Sequence, residues 1–174
     1  MRCFFSIELP ENIKNELIKS QNEVKCNSTL VKKEQLHLTL LFLGEVDGKK
    51  VEILSEKLSG FKFPCFEILL NNAGVFPSDK NPRVFWIGVE SSEIENLHSQ
   101  LKRIVQSIGI KTEERDFHPH LTLGRIKEKC NLNEWVEKNN KKFGSFKTCK
   151  ILLKKSVFEK NGVAHETLKE INLS

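Results

Sequence analysis

The sequence predicts an α+β fold in which one domain spans residues 1–174. Three features carry this reading. Short apolar runs bounded by Gly, Pro and Asn recur along the whole chain, as strands between turns require. One long segment, 92–108, has its apolar residues at helical spacing. Strands and helices do not follow the regular βαβ order of a parallel sheet. With 174 residues, 39% of them hydrophobic, the chain can bury one sizeable core and is short for two.

The elements follow in chain order. Residues 3–9 form a β-rich opening, and Pro10 then starts a helix in which Ile13, Leu17 and Val24 share a face. Residues 29–31 read as a short strand. The run 36–43 is apolar and closed by Gly44, which favours a strand over a helix. Val51, Leu54 and Leu58 sit at helical spacing, and residues 63–70 and 83–89 are β-like. Across 92–108, Ile94, Leu97, Leu101, Ile104, Val105 and Ile108 make one stripe, with Ser92 and Glu95 spaced as a capping box. Residues 120–125 read as a strand and 132–139 as a short helix. Residues 146–158 and 166–171 read as closing strands, joined through a turn at Asn161-Gly162.

The formal net charge is +5, which favours approach of an anionic substrate without identifying one. Five cysteines lack any Cys-x-x-Cys or Cys/His zinc spacing, so reduced thiols, no metal and no cofactor are expected. The N-terminal apolar run is too short for a signal peptide, and no stretch approaches the roughly 20 residues that cross a bilayer. A cytoplasmic protein with no membrane partner is the expectation.

The informative feature is a tetrapeptide that occurs twice, His37-Leu38-Thr39-Leu40 and His120-Leu121-Thr122-Leu123. Chance produces such a pair with a frequency on the order of 10⁻⁴ in a chain of this composition. Alternation along a strand sends His37 and Thr39 to one face and Leu38, Leu40 and Phe42 to the other. The same parity groups His120 with Thr122 and, if strict, places Arg125 opposite them. The repeat points to duplicated, pseudo-symmetric halves. Two such strands facing each other across a cleft bring two imidazoles to opposite sides of one bound group. One neutral imidazole then takes a proton from water while a protonated one donates to the leaving oxygen. The Thr hydroxyls donate to phosphate oxygens, and no metal is required.

At these residues the chain resembles the 2H phosphoesterase superfamily and, within it, the RNA 2′,3′-cyclic phosphodiesterases, also called the 2′-5′ RNA ligase family. The resemblance also covers the opening Ile7-Glu8-Leu9-Pro10, Phe42-Leu43-Gly44, Gly74-Val75-Phe76-Pro77, Pro82-Arg83-Val84 with Trp86-Ile87-Gly88, and Phe117-His118-Pro119 leading into the second motif. It implies a bilobal fold of two pseudo-symmetric halves around a central basic cleft. His37 is then the proton donor and His120 the acceptor, with Thr39, Thr122 and Arg125 binding substrate. The implied reaction opens a 2′,3′-cyclic phosphate to a 2′-phosphate. The implied partner is RNA with such an end, tRNA-derived ends included, or a small cyclic nucleotide, acted on by a monomer. His165 stands where relatives often carry Tyr.

Other readings compete with this one. A lone strand histidine is usually a satisfied structural residue, but the repeat removes that reading for His37 and His120. His118, beside Pro119, suits an exposed turn, while His98 and His165 read as structural. Arg83, Phe117 and Lys33 are further candidates for an RNA groove. The functional alternatives are 2′-5′ ligation, opening of an ADP-ribose cyclic phosphate, and a non-catalytic RNA-binding module. A module that only held phosphate would be better served by Arg or Lys than by two His-x-Thr pairs.

Overall fold

The apolar runs become nine strands and four helices in the computed structural model, which describes all 174 residues. The strands are β1 (Arg2–Glu8), β2 (Ser28–Leu30), β3 (His37–Glu45), β4 (Phe66–Phe76), β5 (Val84–Glu90), β6 (His120–Ile126), β7 (Lys142–Thr148), β8 (Lys150–Glu159) and β9 (Gly162–Asn172). The helices are α1 (Glu11–Asn22), α2 (Gly48–Ser59), α3 (Ile94–Ser107) and α4 (Asn133–Lys138). The fold is α+β, as the sequence predicts.

Two antiparallel sheets organise the chain, one in the order β3-β1-β8-β9 and the other β2-β6-β5-β4-β7. Helices α2 and α3 pack on each other and against β9 and β3, whereas α1 and α4 lie on β6, β7 and β4. On the helix-covered faces a continuous apolar core includes Phe5, Ile7, Leu17, Leu38, Leu54, Leu97, Leu121 and Leu153. Leu38 and Leu121 are fully buried, and each such side chain contributes about 2–3 kcal/mol of transfer free energy. A one-residue slip of β3 or β6 would turn these leucines outward, so the core fixes the register of both His-x-Thr strands. Strands β3 and β6 belong to different sheets and are in contact with each other.

Several expectations need correction. The run 146–158 is two strands: β7 joins β4 in one sheet and β8 joins β1 and β9 in the other, with the break at Cys149. Apolar periodicity is the same on both sides of that break, so pattern alone could not reveal it. The capping box at Ser92 does not form. The α3 N-cap is Glu93, in helical conformation, and Ser91 Oγ accepts from the Glu93 amide at 3.3 Å. Where the sequence expects separate reduced thiols, the fold brings the sulfur of Cys26 against that of Cys130 and the sulfur of Cys65 against that of Cys149, leaving only buried Cys3 apart. These partners are 104 and 84 residues apart, so the pairing is a product of the fold and not of a spacing motif. No helix is long and apolar enough to cross a membrane.

Candidate active site

His37 and His120 each open a strand and are held in the same way. The chain enters β3 from a 3₁₀ turn at Lys33–Gln35 and enters β6 through Pro119. In both cases ring Nδ1 lies 2.7 Å from the carbonyl oxygen two residues back, that of Gln35 for His37 and that of His118 for His120. A carbonyl can only accept, so Nδ1 carries the hydrogen and donates. This fixes the tautomer and leaves Nε2 as the basic nitrogen of each ring.

A matched pair of β-bulges shapes the face on which the rings lie. Along β1, Glu8, Ser6 and Phe4 share a face, and they pair with His37, Thr39 and Phe42. The step from Thr39 to Leu41 against the single step Ser6 to Phe5 leaves Leu40 as the extra residue, so parity reverses there. Phe42 therefore joins the histidine face, contrary to the expectation from strict alternation. It is 52% exposed and its ring centroid is 5.9 Å from that of Phe4. In the second half, Gly88, Trp86 and Val84 of β5 share a face and pair with His120, Thr122 and Arg125. Leu123 is the extra residue. Arg125 thus lies on the face of His120 and Thr122, where strict alternation had placed it opposite. The two strands show one burial pattern over seven residues: half-buried His and Thr alternate with buried Leu, and a second buried residue then precedes exposed Phe42 or Arg125.

The rings around the two histidines complete each half-site. His37 packs beside Phe4, with centroids 5.2 Å apart, and edge-on to His165 at 5.3 Å. His120 packs edge-on to Phe76 at 5.0 Å and beside Trp86 at 6.1 Å. Burial pushes the His37 imidazole down to about 4, against the bond to the Gln35 carbonyl, and His165 and Lys154 push it the same way. Burial also lowers His120, opposed by its bond to the His118 carbonyl. Both rings are therefore neutral in the free protein near pH 7. Near His37, Lys154, only 8% exposed, is paired with Glu8 at 3.0 Å.

Three buried side-chain polar atoms find no partner within the protein: Ser6 Oγ, Trp86 Nε1 and His165 Nδ1. Ser6 pairs across the strands with Thr39 and Trp86 with Thr122, so the first two occupy matching places in the halves. An unpaired buried polar atom is costly and calls for a ligand or water. Alternation along β3 alone gives no sign of Ser6 and places Phe42 on the wrong face, because only the neighbouring strand reveals their alignment with the motif.

Other candidates are engaged elsewhere. Phe117 stacks on His98 at 4.1 Å, with planes 2° apart. Lys33 pairs with Glu11 at 3.0 Å. Arg83 and His118 are exposed. Two surface clefts, of about 370 and 330 Å³, are lined by residues that include Asp79 and Asn133, and by neither His-x-Thr pair. Basic nitrogens, hydroxyls and a guanidinium gathered on the faces of two touching strands suit proton transfer on an anionic group.

Comparison with known proteins bears on the same residues. The family model described as LigT like Phosphoesterase matches twice, at residues 7–86 and 87–165, so each match holds one His-x-Thr strand. The RNA 2′,3′-cyclic phosphodiesterase of Methanocaldococcus jannaschii is 39% identical, over 98% of this chain and 99% of that protein. The protein of that name from Archaeoglobus fulgidus is 33% identical, over 97% and 98%. The crystal structure of Escherichia coli LigT complexed with 3′-AMP superposes with a TM-score of 0.84 at 28% identity, covering 99% of this chain and 97% of that one. The double match makes the halves pseudo-symmetric, as the repeated tetrapeptide implies.

Proposed function

The chain belongs to the LigT-like phosphoesterase family, and from that premise we propose that it is an RNA 2′,3′-cyclic phosphodiesterase that opens a terminal cyclic phosphate to a 2′-phosphate by two-histidine acid–base catalysis. The observation that carries this reading is the identical tethering of His37 and His120, which leaves one basic Nε2 on each of two touching strands. The curated relatives that align over nearly the whole chain carry this activity in their names. The continuous core supports one catalytic unit spanning residues 1–174.

In the reaction, one imidazole removes a proton from the attacking water and the other protonates the leaving 3′ oxygen. The Thr39 and Thr122 hydroxyls and the Arg125 guanidinium meet the charge that grows on the non-bridging oxygens. With His37 as donor and His120 as acceptor, His37 must gain a proton when substrate binds, because burial holds it at about 4 in the free protein. The phosphate anion supplies the drive, since an opposite charge within contact distance favours the protonated ring. Phe42 offers an exposed ring on the same face for stacking on a base. Nothing in these steps uses a metal.

The test offers purified protein an RNA with a 2′,3′-cyclic phosphate end, nucleoside cyclic phosphates and ADP-ribose cyclic phosphate, all in EDTA. A 2′-phosphate product from the RNA is expected. Turnover only of the ADP-ribose compound would move the assignment to small cyclic phosphates. Activity that vanishes in EDTA and returns with Mg²⁺ or Zn²⁺ would overturn the metal-free mechanism.

A further inference from the structure

The two half-sites match in strand, bulge and tether but differ in the ring that stands edge-on to each histidine. Edge-on to His120 stands the phenyl of Phe76, at 5.0 Å with planes at 88°. Edge-on to His37 stands the imidazole of His165, at 5.3 Å with planes at 85°. Phe4 closes this second group, its centroid 4.9 Å from that of His165. An apolar ring serves the packing around His120, so packing by itself does not call for a titratable ring beside His37. The His165 ring also bears a cost there, because its Nδ1 is buried without a partner.

The charged groups around His165 are few. From β3 it faces His37. From β8 comes Lys154, which is bonded to Glu8 of β1. Lys155 of β8 and Glu166 of β9 pair with each other at 2.8 Å. Gln35, whose carbonyl tethers His37, reaches the carbonyl of Val163 through its own side-chain amide, so β9 is tied to the turn that carries the catalytic ring.

We propose that His165 is a positioning residue for the acid–base pair: its ring, edge-on to His37, holds back proton uptake there and so helps set two pseudo-symmetric imidazoles apart. The proposal rests on the reading of His37 as one member of that pair. Two imidazolium charges at this separation in a partly dry site repel strongly, so a proton on one ring keeps the other neutral. Burial lowers both rings, and Lys154 lowers both further. A bound phosphate anion relieves the repulsion and lets His37 be charged only when substrate is present. A phenyl in the place of His165 could pack, but it could not exert this control.

The experiment compares wild type with His165→Phe and His165→Gln, following the His37 and His120 imidazoles by ¹⁵N NMR against pH in the absence of substrate. Loss of the neighbouring charge should raise the His37 midpoint by roughly 0.5 to 2 pH units in both variants, the range given by a water-like and a protein-like dielectric at this distance. His120 should titrate as in wild type. A His37 midpoint that moves by less than about 0.2 unit in both variants, against the unit-scale spread of protein pKa values, overturns the proposal. The Gln variant keeps the test alive if Phe impairs folding. In parallel, the acid limb of kcat/KM on the cyclic-phosphate RNA should move up with His37, because the more depressed ring of the pair sets the lower limb whichever role it plays. An acid limb that stays in place while the His37 midpoint rises would overturn the link between His165 and the acid–base pair. Wild-type protein without turnover on any cyclic phosphate would remove the proposed activity, while the NMR titration would still decide the role of His165.

Discussion

Replacing Gly124 with Ala tests whether the β6 bulge positions the second half-site. Gly124 follows the extra residue Leu123 and precedes Arg125, and it is not at positive φ, so the cost of a side chain there is steric. An added Cβ would lie 2.6 Å from the Phe85 ring and 2.9 Å from the Thr29 carbonyl oxygen. Phe85 is fully buried and Thr29 belongs to the paired strand β2, so neither can withdraw freely. Reaching ordinary carbon–carbon contact requires a displacement of about 1 Å. Overpacking of this kind costs about 1–3 kcal/mol, or roughly 2–12 °C in Tm for a chain of this length. The strand that must move carries His120, Thr122 and Arg125, and a misplacement of about 1 Å can cost 10²-fold in rate. Thermal melts and kcat/KM on the cyclic-phosphate RNA should therefore fall together. Gly60→Ala is the control: a Cβ there would meet nothing within 4 Å, and stability should stay within about 0.5 kcal/mol of wild type. A Gly124→Ala protein with wild-type Tm and wild-type kcat/KM would refute the claim that close packing at the bulge sets the site.

His37→Ala and His120→Ala should each lower kcat by roughly 10²–10⁴, with the double variant losing much less than the product because the rings act as a unit; near-normal turnover in either single variant excludes the mechanism. Both imidazoles are depressed in the free protein, so the kcat/KM bell should peak below pH 6.5, while the kcat bell lies higher because bound phosphate raises both rings. A kcat/KM maximum above pH 7 would contradict this. His37 falls from its ordinary 6.5 to about 4 on folding, so below pH 6.5 the unfolded chain binds the extra proton. The stability this neutral ring contributes is complete above pH 6.5, is lost as pH falls toward 4, and amounts to about 3 kcal/mol at most. Urea melts between pH 7 and 4 should show a steeper loss for wild type than for His37→Gln, and equal slopes would count against the burial of this ring.

The sequence by itself determined the α+β class, the strands that carry His37 and His120, and the repeat that halves the chain. Each of these rests on local alternation between core and solvent, which a single strand records in its own residues. The leucines at 38, 40, 121 and 123 are buried as that alternation requires. Only the tertiary structure decided which side chains join the histidines. Phe42 and Arg125 reach the site because Leu40 and Leu123 are bulged against β1 and β5, and a bulge exists only in the register between two strands. His165 meets His37 because β9 closes the sheet that begins with β3, bringing together residues far apart in the chain. The approach of Cys65 to Cys149 and the break between β7 and β8 beside it are likewise settled by which sheet each segment joins. Local periodicity carries no information about that choice, because both sheets ask for the same pattern.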